Sequence, residues 1–103
     1  MHKLCFYTPV EHCKSVKRAI FATGAGRIGN YDSCCWQVMG QGQFRPLAGA
    51  DPHSGSIGVL ETVPEYKVEL ICDDAQIGAA VAAMRDAHPY EEPAYHVVKL
   101  EDF

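Results

Sequence analysis

Three observations predict an α+β domain in which a four-stranded sheet carries two helices on one face. Residues 65–72 alternate apolar and polar side chains, which is the period of a strand with one buried face. Two longer segments, 9–23 and 73–87, repeat apolar residues at helical spacing. The remaining strands are predicted in short apolar and aromatic runs at 3–8, 33–39 and 94–100. The resulting order is β-α-β-β-α-β.

The first helix is predicted to begin at Pro9 and to end before Gly24. Thr8 and Glu11 have the spacing of a capping box, in which a hydroxyl and a carboxylate satisfy free backbone N–H groups. Proline suits the first helical position and glycine commonly follows the last turn. The buried stripe of this helix is predicted to consist of Cys13, Val16 and Ile20.

The second helix is predicted to begin after Asp73 and to end at His88-Pro89. Asp73 and Gln76 have capping spacing, and proline disfavours helix in the residue before it. The apolar stripe of this helix is predicted to consist of Ile77, Val81 and Met84.

This order of elements is that of a ferredoxin-like βαββαβ sandwich with a four-stranded antiparallel sheet. We expect the second and third strands to pair antiparallel, and each helix to cross over between parallel neighbours. Right-handed crossovers then place both helices on one face. Gly40 and Gly42 are expected to bend the chain after the second strand. The candidates for an apolar patch on the face without helices are Trp36, Phe44 and Tyr95. An apolar patch of this kind indicates a partner.

Composition narrows the class of protein. The 103 residues make one domain, with 48% hydrophobic residues and a net charge of −4, which disfavours binding to nucleic acid or to an anionic membrane. No apolar run approaches the length of a membrane span, and the first residues do not resemble a signal peptide. Five cysteines without a C-x-x-C pair argue against a disulfide framework or a closed zinc site. We therefore expect a cytoplasmic protein.

The segment GAGRIG matches the dinucleotide-binding pattern G-x-G-x-x-G, and Asp51 follows at the spacing of its ribose-binding acid. That pattern must follow a strand and open a helix, whereas here it follows a helix and opens a strand. Two interpretations remain: a loop that needs positive φ angles, or a backbone cradle that binds an anion together with Arg27. The glycines of the pattern are Gly24, Gly26 and Gly29.

The segment HPYEEP places an imidazole, a phenol and two carboxylates within six residues. Neighbouring side chains on extended backbone point to opposite sides, so only one of Glu91 and Glu92 could join His88 around a metal ion. A structural role as helix stop and corner is favoured, and His88 with Glu91 remains the metal hypothesis. Cys34 and Cys35 are expected to diverge for the same reason. No motif identifies a catalytic residue.

Three motifs in order, GAGRIGNYDSC, GQFRPLAGADP and AHPYEEPAYHV, resemble the domain inserted in many Nif-three-like proteins, a dinuclear-metal family also called GTP cyclohydrolase type 2 homologues. The HPYEEP corner is also similar to one in CutA proteins, which have the PII-like version of this fold. The resemblance implies a PII/CutA-like fold and a preference for trimers. It also implies that the metal ligands of the family lie in flanking segments, outside these residues. The matching motif positions are Gly24, Gly26, Gly29, Asn30, Tyr31, Phe44, Arg45, Pro46, His88, Pro89, Tyr90, Glu91 and Tyr95.

We therefore expect a stand-alone, non-catalytic oligomeric module with a binding, regulatory or scaffold role, acting on a small molecule, an anion or a protein partner. The loops 24–31, 44–58 and 88–93 are expected to gather at subunit boundaries, where a shared cleft would bind the ligand. Two alternatives stay open: a protein that binds a divalent metal ion in the CutA manner, and an enzyme whose site is completed between subunits. The residues expected to bind an anion are Arg27, Asn30, Tyr31 and Arg45.

Overall fold

A computed structural model describes residues 1–103 and contains four strands and two α-helices. The elements are β1 (His2–Pro9), α1 (Cys13–Phe21), β2 (Trp36–Phe44), β3 (Glu61–Cys72), α2 (Ile77–Ala87) and β4 (Tyr95–Lys99), with a 3₁₀ turn at Val10–His12 between β1 and α1. The predicted order of elements and the ferredoxin-like fold class are confirmed. No helix is both long enough and apolar enough to cross a membrane.

The strands lie in the order β2-β3-β1-β4, and every neighbouring pair is antiparallel. The prediction that each helix joins parallel neighbours is therefore wrong. The strands that a helix connects run parallel, but one other strand lies between them. A helix is about 10 Å wide, which matches roughly two strand spacings of about 4.8 Å, so its crossover leaves room for the intervening strand.

The core lies between the helices and one face of the sheet. Leu4 and Phe6 on β1 are paired with Leu70 and Val68 on β3, so these side chains share the face that the helices cover. The predicted stripe of α1 is fully buried, and in α2 Met84 is buried while its neighbours on the stripe are partly buried. The helix residues in the core are Cys13, Val16, Ile20, Ala80 and Met84.

Strand β2 differs from its predicted course. It pairs with β3 continuously from Trp36 to Phe44, so the glycines do not bend it. A Cβ at Gly42 would overlap the carboxylate of Glu65, which indicates that glycine here makes room for a side chain from the next strand. The strand begins three residues later than predicted, because Ser33 has a φ of 56°, outside the extended region.

The vicinal cysteines consequently lie outside any strand, and the expected alternation of their side chains does not apply. Cys34 is half-buried and Cys35 is exposed, so neither belongs to the core. The Cys34 thiol donates to the carbonyl oxygen of Asp32 at 3.6 Å.

Neither predicted capping box forms. Pro9 has a φ of −56° and a ψ of 149°, which is extended backbone, so β1 continues through it and Thr8 lies inside the strand. The Thr8 hydroxyl donates instead to the carbonyl oxygen of Pro9. At the second helix the turn that precedes Ile77 is closed by its backbone N–H, which donates to the carbonyl of Asp73. No side chain caps either helix.

The face of the sheet opposite the helices is uncovered, and we call it the open face. Trp36 and Val38 lie on it with 60% and 43% of their surface exposed. Tyr95, expected on this face, is paired with Phe6 on the helix side, where Arg85 from α2 lies 5.6 Å from its ring centre. The open face consists of Lys3, Cys5, Tyr7, Trp36, Val38, Gly40, Gly42, Phe44, Glu61, Val63, Glu65, Lys67, Glu69, Ile71, His96 and Val98.

A candidate ligand cavity at one end of the open face

A cavity of about 650 Å³ lies where β2 and β3 continue beyond the end of β1. Its walls are aromatic and charged: Tyr7, Phe44 and Tyr90 contribute rings, while Glu65 and Lys67 contribute opposite charges. The loop after β2 and the corner before β4 supply the remaining walls. A cavity of this size, mainly apolar with a few polar groups, is typical of small-molecule sites.

His88 holds the corner before β4 against β1. Its ring is almost fully buried, and its Nδ1 accepts a hydrogen bond from the Tyr90 backbone N–H at 3.1 Å. The proton must then be on Nε2, which donates to the carbonyl oxygen of Tyr7 at 2.7 Å. Burial lowers the pKa of His88, although the hydrogen bond to Tyr7 opposes this, and the nearby His12 and His53 lower it further. The ring is therefore a neutral structural connector.

This geometry does not support a metal ion between His88 and Glu91. Both ring nitrogens of His88 are already engaged in hydrogen bonds, so neither offers a free lone pair. Glu91 is exposed, and its carboxylate accepts a hydrogen bond from the backbone N–H of Asp51 at 3.1 Å. Both residues instead join the corner to its neighbours, the role that the sequence favoured.

Tyr90 is the central side chain of the cavity wall. Its ring centre lies 6.1 Å from that of Phe44 and 6.0 Å from that of His53. Burial and the carboxylate of Glu65 raise the pKa of Tyr90, so the phenol stays protonated at neutral pH. The hydroxyl is buried, and the nearest group that could accept its proton is the carboxylate of Glu65, which also lines the cavity.

The four residues expected to bind an anion are not brought together within one chain. Arg27, Asn30 and Tyr31 are exposed in the loop before β2, which is tied to the far end of β3 by the Gly26 N–H and the Ile71 carbonyl. Arg45 follows the last residue of β2. The nine residues of this strand span about 30 Å at roughly 3.3 Å per residue, which separates the two groups.

Of the three loops expected to gather, the structure brings two together. The loop after β2 and the corner 88–93 meet at the cavity, and Phe44, Pro46 and Tyr90 line it. The loop 24–31 lies at the other end of β2. Its three glycines have φ angles of 92°, 76° and 57°, so the G-x-G-x-x-G pattern encodes left-handed turns, as the first of the two interpretations held.

Sequence reasoning missed a cluster beside the cavity. The carboxylate of Glu11 and one ring nitrogen each of His12 and His53 all lie within 4.8 Å of one another. The sequence pattern places Glu11 in a predicted helix cap, and no motif singles out His53. No pattern in the sequence could have joined residues 41 positions apart, because the loop after β2 must first fold back over the turn at Val10–His12.

The protonation of His88 predicts how stability depends on pH. Its pKa is lower in the folded chain than the ordinary value of 6.5, so between these two values the unfolded chain binds a proton that the folded chain does not. Its contribution to stability is complete above pH 6.5 and is lost as the pH falls through the folded pKa. We expect urea titrations with a chelator present to show stability falling from pH 7.5 to pH 5, with a smaller fall in His88→Gln. Equal slopes in the two proteins would contradict this assignment.

Comparison with known proteins identifies relatives that are much longer than this chain. The chain is 46% identical over 97% of its length to the GTP cyclohydrolase 1 type 2 homolog of Mycobacterium leprae, and 40% identical over 98% to that of Bacillus subtilis. It spans only 26% and 27% of these two proteins. No protein-family model matches the chain.

Solved structures show the same relationship. A Bacillus cereus protein related to NIF3 superposes with a TM-score of 0.83 and 38% identity, over 98% of this chain and 26% of that one. CutA from Archaeoglobus fulgidus, described as a periplasmic divalent cation tolerance protein, superposes with a TM-score of 0.70 over the whole chain and 87% of its own. At 13% identity this second match shows the fold alone. The chain is thus homologous to a segment that makes up about a quarter of the Nif-three-like GTP cyclohydrolase 1 type 2 homologues, and it has the PII/CutA-like fold.

Proposed function

We propose that this domain is a non-catalytic oligomeric binding module, in which further copies of the chain cover the open face and a small molecule occupies the cavity. The observation that carries the proposal is the uncovered sheet face, with Trp36 and Val38 exposed by 60% and 43%. Burying such side chains contributes about 25 cal/mol per Å² of apolar surface removed from water.

The charges on the open face favour a second copy of this chain over a partner whose surface carries charge of a single sign. Lys67 pairs with Glu69 at 3.2 Å, and Lys3 approaches the same carboxylate at 3.8 Å. Glu65 and Glu61 lie further along the same face. Because both signs alternate on one surface, two copies can place opposite charges against each other. The trimer implied by the resemblance to PII and CutA proteins is our proposed assembly.

Assembly would also bring together the expected anion-binding residues, which lie far apart within one chain. The exposed loop with Arg27, Asn30 and Tyr31 lies at one end of β2, and Arg45 and the cavity lie at the other. An arrangement that places one end of a copy beside the opposite end of the next copy would bring these residues to the cavity. The ligand class that fits such a shared cleft is a small anion with an apolar body. None of the five cysteines is paired, which fits a reducing compartment such as the cytoplasm.

The variant Val38→Glu tests the assembly directly. Val38 lies opposite Lys67 on the open face, so a glutamate there gains a cross-strand partner in the monomer but places a charge in the proposed interface. Met39, the next residue along, is 48% exposed on the helix side and provides the matched control Met39→Glu. We expect native mass spectrometry at micromolar concentration to give trimers for the natural chain and for Met39→Glu, and monomers for Val38→Glu.

The same spectra report any molecule that is retained after purification. An additional mass that is present on the trimers of the natural chain and of Met39→Glu would support a small molecule bound to the assembly. Val38 also lines the cavity, so the loss of this mass from Val38→Glu would not by itself place the molecule between subunits. A natural chain that is monomeric at micromolar concentration would refute the proposed assembly, and so would a trimer that persists in Val38→Glu.

A further inference from the structure

We propose that Glu11, His12 and His53 form a binding site for a divalent cation of the zinc type, which ties the loop 45–60 to the turn at Val10–His12. One carboxylate and two imidazole groups lie within 4.8 Å of one another, and one of these residues, His53, lines the cavity. Oxygen and nitrogen ligands in this combination are a common set for zinc, and they leave a fourth position for water or for a bound molecule.

The three side chains are free to act as ligands. None of them has a side-chain hydrogen bond or an ion pair in the structure. Ser15 donates to the backbone carbonyl of His12 and leaves the imidazole ring free. The two imidazole rings meet edge to face with centres 5.3 Å apart. His88, the other histidine in this region, differs because both its nitrogens are engaged.

The distances between the three ligand atoms require only a small adjustment to coordinate a zinc ion. With zinc–nitrogen bonds of about 2.0–2.1 Å, neighbouring ligand atoms in a tetrahedral site are about 3.3 Å apart. The present separations of up to 4.8 Å therefore have to shrink by roughly 1.5 Å, which rotation of exposed side chains can supply. Glu11 and His12 share one 3₁₀ turn, so the movement falls mainly to His53 and its loop.

The types of ligand atom in this cluster favour zinc over magnesium. Imidazole nitrogen suits zinc and its transition-metal neighbours, whereas magnesium prefers oxygen ligands and keeps its water. His53 also lines the cavity, so the open position on the metal is available to an anionic group of a molecule bound there. Cation binding would hold the loop 45–60 over the cavity and would couple metal and ligand.

The test is calorimetric titration of the chain, purified without a histidine tag and freed of metal, with zinc and separately with magnesium. We expect one zinc ion per chain and no measurable magnesium binding. His12→Ala and His53→Ala should each weaken zinc binding by at least about tenfold, since even loss of a group behind a ligand costs about that much. The matched control is Glu91→Gln, which belongs to the alternative pair with His88 and retains an oxygen to accept the Asp51 N–H. Its affinity should not change.

Hydrogen exchange supplies a second measurement. Zinc should slow exchange of the backbone N–H groups in the loop 45–60 of the natural chain and of Glu91→Gln, but not of His53→Ala. Because all three ligands come from one chain, Val38→Glu should still bind zinc, which separates this inference from the proposed assembly. The inference is overturned if zinc does not bind, if both histidine variants bind it as well as the natural chain, or if Glu91→Gln loses it.

Discussion

Replacing Gly26 by alanine should lower the free energy of unfolding by about 2–4 kcal/mol, from left-handed backbone strain plus overpacking. Gly26 has a φ of 76°, and an added Cβ would lie 2.7 Å from the Phe21 ring and 2.9 Å from the Cys34 carbonyl oxygen. Its N–H donates to Ile71 and its carbonyl accepts from the Cys34 N–H, so the backbone cannot move away without losing both bonds.

The matched control is Gly29→Ala in the same loop. Gly29 has a φ of 57°, but nothing lies within 4 Å of the added Cβ, so only the backbone strain of about 1 kcal/mol remains. Urea unfolding followed by circular dichroism, at one fixed chain concentration, measures both variants. Equal losses in Gly26→Ala and Gly29→Ala would show that the contact with Phe21 and Cys34 is unimportant.

Replacing His88 by alanine should lower the free energy of unfolding by about 3 kcal/mol, because it removes a buried ring and two hydrogen bonds. The Tyr7 carbonyl and the Tyr90 N–H would each lose a partner. The corner that carries Tyr90 would no longer be held against β1, so we expect the cavity to lose its shape and its ligand affinity together.

The control for His88→Ala is His53→Ala, measured with a chelator present. His53 is exposed and its side chain makes no hydrogen bond, so its removal should change stability by less than about 0.5 kcal/mol. Urea unfolding at pH 7.5 distinguishes the two. A small loss in His88→Ala would mean that water replaces the imidazole between Tyr7 and Tyr90, and the structural role assigned to His88 would be wrong.

The similarity to known proteins identifies the fold of this chain more closely than its function. The chain spans about a quarter of the GTP cyclohydrolase 1 type 2 homologues, so the activity that their name suggests is not assigned to this segment. The cluster of Glu11, His12 and His53 lies within the domain itself.

Local sequence patterns determined the elements and the core of this protein. Alternation in 65–72 and the stripes of the two helices reflect which side chains must leave water, and burial enforces such patterns wherever they occur. Left-handed turns at Gly24, Gly26 and Gly29 are local too, because only glycine adopts them at little cost. For these features neighbours along the chain carry most of the information.

Only the tertiary structure decided the helix starts, the course of β2 and the site. Pro9 pairs with Glu65 across the sheet, so β1 continues where local rules place a helix. Gly42 stays in a strand because it pairs with Val63 on β3. His88 is neutral because burial lowers its pKa, and its Nε2 is bonded because the Tyr7 carbonyl lies against it. His53 meets Glu11 and His12 only after its loop folds back. Each outcome depends on a residue at least 20 positions away, and the energy of such contacts is not encoded in any local pattern.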